Sequence, residues 1–112
     1  MYENDKKKLT GDFVHMVFFW LKNPGNEADR QQFLHELTSF LDETEVIVAK
    51  HIGTPAPTNR PVIDSSYTFS LVVTFRDGAD QDIYQEHPAH KRFIANAAVL
   101  WERVQVYDSI QV

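Results

Sequence analysis

The stretch "FVHMVFFWL", residues 13–21, is apolar on both of its alternating sides: His15, Val17, Phe19 and Leu21 fall on one, Val14, Met16, Phe18 and Trp20 on the other. Successive side chains of a β-strand point to opposite faces, so a strand with one wet face shows a polar residue at every second position. This stretch does not, and it predicts a strand covered on both sides. Downstream, "KNPGN" breaks the pattern, and Asn26 with Asp29 three residues later reads as a helix N-cap with an acidic residue in the first turn. The helix that follows carries Phe33, Leu34, Leu37, Phe40 and Leu41 on one face, while Arg30, Gln31, Gln32, Glu36 and Ser39 point elsewhere.

A second strand is expected in "TEVIVAKHIG", residues 44–53, ended by "TPAPTNRP", whose three prolines prevent regular structure. "YTFSLVVTF", residues 67–75, alternates with Tyr67, Phe69, Leu71, Val73 and Phe75 on one side and is closed by "RDG". A short helix is expected over 79–86. Pro88, favoured at a first helical position, then starts another that carries Phe93, Ala97, Leu100, Trp101 and Val104 inward, and "VQVYDSI", residues 104–110, is the closing strand. The order strand, helix, strand, strand, helix, strand is the split βαβ arrangement. It predicts an α+β, ferredoxin-like fold, a four-stranded antiparallel sheet with its helices on one face. The other sheet face, with Val14, Met16, Phe18, Trp20 and Val72, is too apolar to stand in water, so a second copy is expected to cover it. Residues 1–11, including Lys6, Lys7 and Lys8, read as a flexible polar tail and residues 12–112 as one domain.

Composition narrows the function. A chain of 112 residues holds a single core and therefore a single site, and 43% hydrophobic content with eight Phe and two Trp is ample to build it. A formal charge of −5 and the lack of a Lys/Arg stripe argue against nucleic acid. The absence of cysteine excludes disulfides, thiolate catalysis and cysteine-based zinc sites. No apolar run approaches the roughly 20 residues of a membrane span and no signal-peptide core opens the chain, so a cytoplasmic protein that binds no membrane is the expectation.

The residues "YQEHPAHKRF", 84–93, hold the densest chemistry, with two histidines three apart around a proline and a tyrosine upstream. His90 falls near the third residue of a helix starting at Pro88, where the positive helix end keeps an imidazole neutral and able to act as a base. Tyr84 is a hydroxyl donor close by. The competing reading is a helix junction, with His87 at the helix entry, Pro88 in the first turn and His90 packing locally. A metal reading joins His87 and His90 to His15 or Glu86, but no cysteine or acidic cluster completes a set, and nothing specifies haem. No metal and no cofactor are therefore expected. His15 is read as a strand residue facing core or pocket, Trp20 and Trp101 as core or interface residues, and Arg60 and Asp64 as long-loop residues that either close a pocket or stay solvated.

Four segments in order, "HMVFFWLK", "SYTFSLVVTF", "YQEHPAH" and "WERVQVYDSI", give residues 13–110 a resemblance to the stress-responsive α/β-barrel domain (Dabb) family. The resemblance implies two ferredoxin-like chains pairing their sheets into a dimeric α/β barrel. The family includes plant stress proteins and a plant polyketide cyclase that closes a ring by aldol-type condensation through a tyrosine and the second histidine of its "HPAH", positions that match Tyr84 and His90. It implies a homodimer with a small apolar pocket between sheet and helices for a small apolar or aromatic ligand. Tyr84 and His90 would be catalytic, and His15, Phe69, His87 and Arg60 would bind. Phe69 stands where the cyclase has a histidine, and the loop 53–66 differs from the cyclase in length and content. A non-catalytic, stress-associated structural or binding dimer is the alternative.

Overall fold

In a computed structural model, which describes residues 6–112, the chain forms β1 (Phe13–Leu21), α1 (Glu27–Glu43), β2 (Ala49–Gly53), β3 (Phe69–Phe75), α2 (Gly78–Glu86), α3 (Pro88–Ala97), a 3₁₀ turn (Ala98–Leu100) and β4 (Trp101–Ile110). The sheet is antiparallel with order β2-β3-β1-β4. β1, apolar on both sides, is a central strand, with β3 on one flank and β4 on the other. Its His15, Val17, Phe19 and Leu21 are buried toward the helices, while Val14, Met16, Phe18 and Trp20 stay half-buried on the open face.

Local chemistry explains the helix starts. The Asn26 side chain accepts from the Asp29 N–H at 3.0 Å and the Asp77 side chain from the Asp80 N–H at 3.0 Å, each occupying a donor that the first helical turn leaves unpaired. α1 lays Phe33, Leu37, Phe40 and Leu41 on the sheet. Phe33 stacks on Phe69 at 5.3 Å and meets Phe19 edge-on at 4.9 Å, so the core is an aromatic cluster bridging α1, β1 and β3.

Three boundaries differ from the sequence expectation. The second strand begins at Ala49 rather than at residue 44, because Thr44 is spent ending α1: its N–H reaches the Leu41 carbonyl at 3.2 Å and its hydroxyl the Phe40 carbonyl at 2.8 Å. Val46 and Ile47 are apolar because they pack on the core, not because they join the ladder. Residues 67 and 68 precede β3, with the Thr68 N–H bonded to the Phe19 carbonyl at 2.8 Å. α3 stops at Ala97, and Trp101 opens β4 instead of extending the helix, since β1 continues to Leu21 and pairs it with Trp101.

Residues 1–5 of the expected flexible tail lie outside the described residues, and 6–11 carry no regular structure. Gly11 has φ +94°, and a Cβ there would lie 2.9 Å from the Phe75 carbonyl oxygen, so the segment passes over β3 at a distance that only glycine permits. Among the described residues no helix is long and apolar enough to cross a membrane.

Candidate functional site

The helix-facing side of the sheet holds a cavity of about 170 Å³ walled by His15 and Val17 of β1, Phe40 of α1, Tyr84 of α2, His90 of α3 and Val106 of β4, among others. Ile94, Val104 and Val106, all exposed apolar residues, stand on the α3 and β4 side, where the lining is most open to solvent. Apolar cavities of about 150 Å³ hold a benzene-sized ligand, so this space suits one small ring or short chain.

Each polar group on the wall is placed by a separate element. His15 lies opposite Asp108 in the β1–β4 ladder, and its Nδ1 meets the Asp108 Oδ1 at 2.5 Å. An ionised carboxylate only accepts, so Nδ1 carries a proton and donates it to Asp108. Tyr84 sits between two imidazoles, its ring centroid 5.4 Å from that of His15 and 5.4 Å from that of His90. Phe40 backs both Tyr84, at 5.1 Å, and His90, at 5.2 Å. The Tyr84 hydroxyl makes no hydrogen bond among the described residues, and its oxygen is not one of the buried unpaired atoms, so it keeps access to the cavity.

The electrostatics sort the two terminal groups into opposite roles. Burial, seconded by the Asp108 carboxylate, pushes the Tyr84 phenol far above its ordinary value of 10.0, so it stays protonated and can only donate or accept a hydrogen bond. Burial also lowers His90 below 6.5, the nearby His15 adds to this and Glu86 partly opposes it, so the His90 imidazole is neutral at pH 7 and carries a free lone pair. A neutral base beside a protonated phenol is an arrangement that takes a proton from carbon or oxygen and steadies the oxygen that becomes negative.

His15, Tyr84 and His90 therefore meet on one wall. The other three residues singled out from the sequence do not line the cavity. Phe69 is spent in the core, stacked on Phe33 with the Arg30 guanidinium 4.8 Å from its ring. Arg60 is exposed in the long loop, where its carbonyl accepts from the Ile63 N–H at 2.9 Å. The His87 ring turns to the start of α3, its Nδ1 accepting from the Ala89 N–H at 3.0 Å and its Nε2 3.8 Å from the Glu45 carboxylate. Asp108 and Phe40 were not singled out as site residues. The signal for Asp108 was present, since Val104, Val106 and Asp108 alternate onto the helix-facing side of β4, but its partner depends on strand register. Among the described residues no group of three His, Asp or Glu is arranged to hold a metal ion.

The open sheet face carries a second recess of about 170 Å³, lined by Phe18, Trp20, Tyr67, Tyr107, Arg103, Asp64 and Gln105. Arg103 lies over the Trp20 ring at 4.1 Å and the Trp20 indole N–H donates to the Ser66 hydroxyl at 3.0 Å, which ties the long loop to the sheet. Asp64 accepts from the Ser66 N–H at 2.9 Å, and its bonds to Ser66 hold its carboxyl below the usual carboxylate value.

Comparisons with known proteins agree with this architecture. A Dabb family protein with a ferredoxin-like fold from Mesorhizobium loti is 24% identical, with a TM-score of 0.75 over 92% of this chain and 99% of that one. A dimeric ferredoxin-like protein of unknown function from Thermobifida fusca is 15% identical, with a TM-score of 0.71 over 96% and 99%. The hydroxynitrile lyase from Passiflora edulis is 19% identical, with a TM-score of 0.72 over 89% and 93%. A comparison with curated protein sequences finds no match. The family model of the stress responsive A/B barrel domain, Dabb, matches residues 13–111, and the chain belongs to that family.

Proposed function

We propose that the protein is a cofactor-independent lyase or cyclase that makes or breaks a carbon–carbon bond beside a carbonyl group in a small apolar or aromatic compound, and that it works as a homodimer. The observation that carries the catalytic half is the row His15, Tyr84, His90 along one wall of the cavity, with Asp108 paired to His15 and a neutral imidazole next to a phenol that stays protonated. In an aldol-type closure, His90 takes the proton from the carbon next to the carbonyl and Tyr84 donates to the enolate oxygen. The carbanion then attacks a second carbonyl, and the resulting alkoxide recovers a proton from the imidazolium. In the cleavage of a hydroxynitrile the same base takes the hydroxyl proton, the carbonyl forms as the carbon–carbon bond breaks, and cyanide leaves with that proton as hydrogen cyanide. Both routes need a base, an oxygen donor and a water-poor cavity, and neither needs an external oxidant or reductant. The likeness to a hydroxynitrile lyase makes hydroxynitriles the first compounds to try.

The dimer rests on shape and surface. The chain is a slab with extents of 53 × 38 × 18 Å and a radius of gyration of 15.6 Å, against about 13 Å for a compact domain of this length. Its open face presents Val14, Met16, Phe18, Trp20 and Tyr107 to solvent, and three of the similar structures are of dimeric proteins. Pairing two such faces would bury well over the roughly 1,000 Å² of a specific interface.

The test is release of benzaldehyde from mandelonitrile, followed by absorbance, for the wild type and for His90→Ala, with light scattering on both. Turnover that His90→Ala abolishes in an intact dimer is the expected result. Turnover that His90→Ala leaves unchanged would refute the assignment of the base. Ligand binding without turnover across a panel of hydroxynitriles and aldol substrates would leave a binding dimer in its place.

A further inference from the structure

The residue left over from "YQEHPAH" is His87, which does not line the cavity of His15, Tyr84 and His90 yet is the whole of the connection between α2 and α3. α2 ends at Glu86 and α3 begins at Pro88, so one residue closes one helix and opens the next. Three of its four polar groups are hydrogen-bonded within the junction. The backbone N–H donates to the Tyr84 carbonyl at 3.3 Å, the carbonyl accepts from the His90 N–H at 3.0 Å and the Lys91 N–H at 3.2 Å, and ring Nδ1 accepts from the Ala89 N–H at 3.0 Å. The two residues that carry the chemistry are thus bonded through their backbones to the same residue.

From this geometry we infer that His87 is a positioning residue, whose ring caps α3 and thereby sets the approach of the His90 imidazole to the Tyr84 phenol; the inference rests on the reading of those two as the reacting pair. The ring matters because nothing else serves Ala89. Pro88 has no N–H, and the His90 and Lys91 N–H groups already use the His87 carbonyl. Ala89 is 2% exposed, which denies its N–H a replacement partner from bulk water. Without the cap the first turn of α3 loosens where His90 sits, one residue further on.

The ring performs this with Nδ1 unprotonated, which places the proton of the neutral imidazole on Nε2, toward Glu45 at 3.8 Å. Other charged groups close to the junction are Glu43 at the end of α1, which is paired with Arg92 of α3, and the Glu86–Lys91 pair that spans the junction itself. Of these, Glu45 stands on the Nε2 side, where an N–H suits it, and the bond from the Ala89 N–H to Nδ1 holds the ring at the helix start. Asparagine is among the best N-caps and presents an acceptor oxygen on a short side chain, so it should reproduce the cap without an imidazole, whereas alanine presents none.

The experiment compares His87→Ala with His87→Asn in the full chain, reading the ring resonances of His90 by NMR and kcat and KM on mandelonitrile. In His87→Ala the His90 ring signals, set by the edge-on contacts with Phe40 and Tyr84, should shift or broaden, and kcat should fall about tenfold or more with KM within twofold. In His87→Asn both should return toward wild type. His90 signals and kcat that stay at wild-type values in His87→Ala would overturn the inference, as would an Asn variant no better than Ala. A wild type that turns over nothing would refute the catalytic reading alone, and the NMR arm would still decide whether His87 sets the His90 ring. If His87→Ala does not fold, His87→Gln, which keeps an amide on a side chain too long to cap well, serves as the uncapped variant with the same two outcomes.

Discussion

Replacing Tyr84 with phenylalanine should move stability and activity in opposite directions. The Tyr84 ring is 2% exposed and is held by Phe75 at 4.9 Å, Phe40 at 5.1 Å and His15 at 5.4 Å, contacts that phenylalanine keeps. Its hydroxyl bonds to no described residue, so its loss breaks no hydrogen bond within the protein. A fully buried unpartnered hydroxyl costs about 1–3 kcal/mol; the Tyr84 oxygen is not fully buried and can meet water in the cavity, so Tyr84→Phe should be neutral or should stabilise the fold by up to about 1 kcal/mol. At this chain length that is a rise in Tm of about 4 °C. The rate should fall by about 10²-fold, the usual contribution of a general acid-base or oxyanion-steadying group. Urea unfolding of both proteins, with kcat on the same preparations, reads the two effects side by side. A loss of more than about 1 kcal/mol would show that the hydroxyl is a structural group with a partner, and the reasoning from its unpaired state would fail.

The remaining expectations concern His90, the Tyr84 phenol at alkaline pH, Val72 and Thr74. His90 titrates below 6.5 in the folded protein, so kcat/KM should hold at pH 6.5 and fall only at lower pH; the unfolded chain binds the proton first, so stability present above about pH 6.5 should also be lost as pH falls through the folded value, and His90→Gln should flatten that part of the stability curve. At the alkaline end the raised Tyr84 phenol should leave the rate flat at pH 10, where an ordinary tyrosine would be half ionised. Val72 lies on the open face between Met16 and His51, half-buried in the single chain, so Val72→Asp should leave the protomer folded and weaken the dimer; an unpaired buried charge costs about 3–5 kcal/mol, roughly a 10²- to 10⁴-fold rise in Kd by sedimentation, and an unchanged dimer would place the interface elsewhere. The Thr74 Oγ1 is buried without a hydrogen-bond partner, so the isosteric Thr74→Val should stabilise by about 1 kcal/mol in urea melts, and a loss would show that the hydroxyl is satisfied.

The fold was legible where the sequence states a local rule. The two-sided pattern of β1 named a strand with two apolar faces, Asn26 and Pro88 named helix starts, and the alternation over 67–75 named the strand β3. Boundaries were misread where apolar residues serve packing instead of the ladder, as Val46 and Ile47 do, or where a neighbouring strand extracts residues from a helical pattern, as β1 does with Trp101. The site divides in the same way. Tyr84 and His90 are six residues apart and joined by a one-residue junction, so their meeting follows from local structure. Phe69 was singled out by family resemblance and Arg60 by its place in the long loop, and here a phenylalanine stack and the path of that loop take them off the wall.

Asp108 is 93 residues from His15, and only the β1–β4 register brings them together. A shift of that register by one residue would turn Asp108 to the open face and put Tyr107 or Ser109 against His15. The register is held by the side chains that alternate with the site: Val17 opposite Val106 and Phe19 opposite Val104 on the helix side, Met16 opposite Tyr107 and Trp20 opposite Arg103 on the other. The carboxylate–imidazole pair at the cavity is thus fixed by the same strand whose far side is apolar enough to demand a partner. β1 is apolar on both sides because it has two surfaces to build, and the histidine near its start is the one polar residue among the nine.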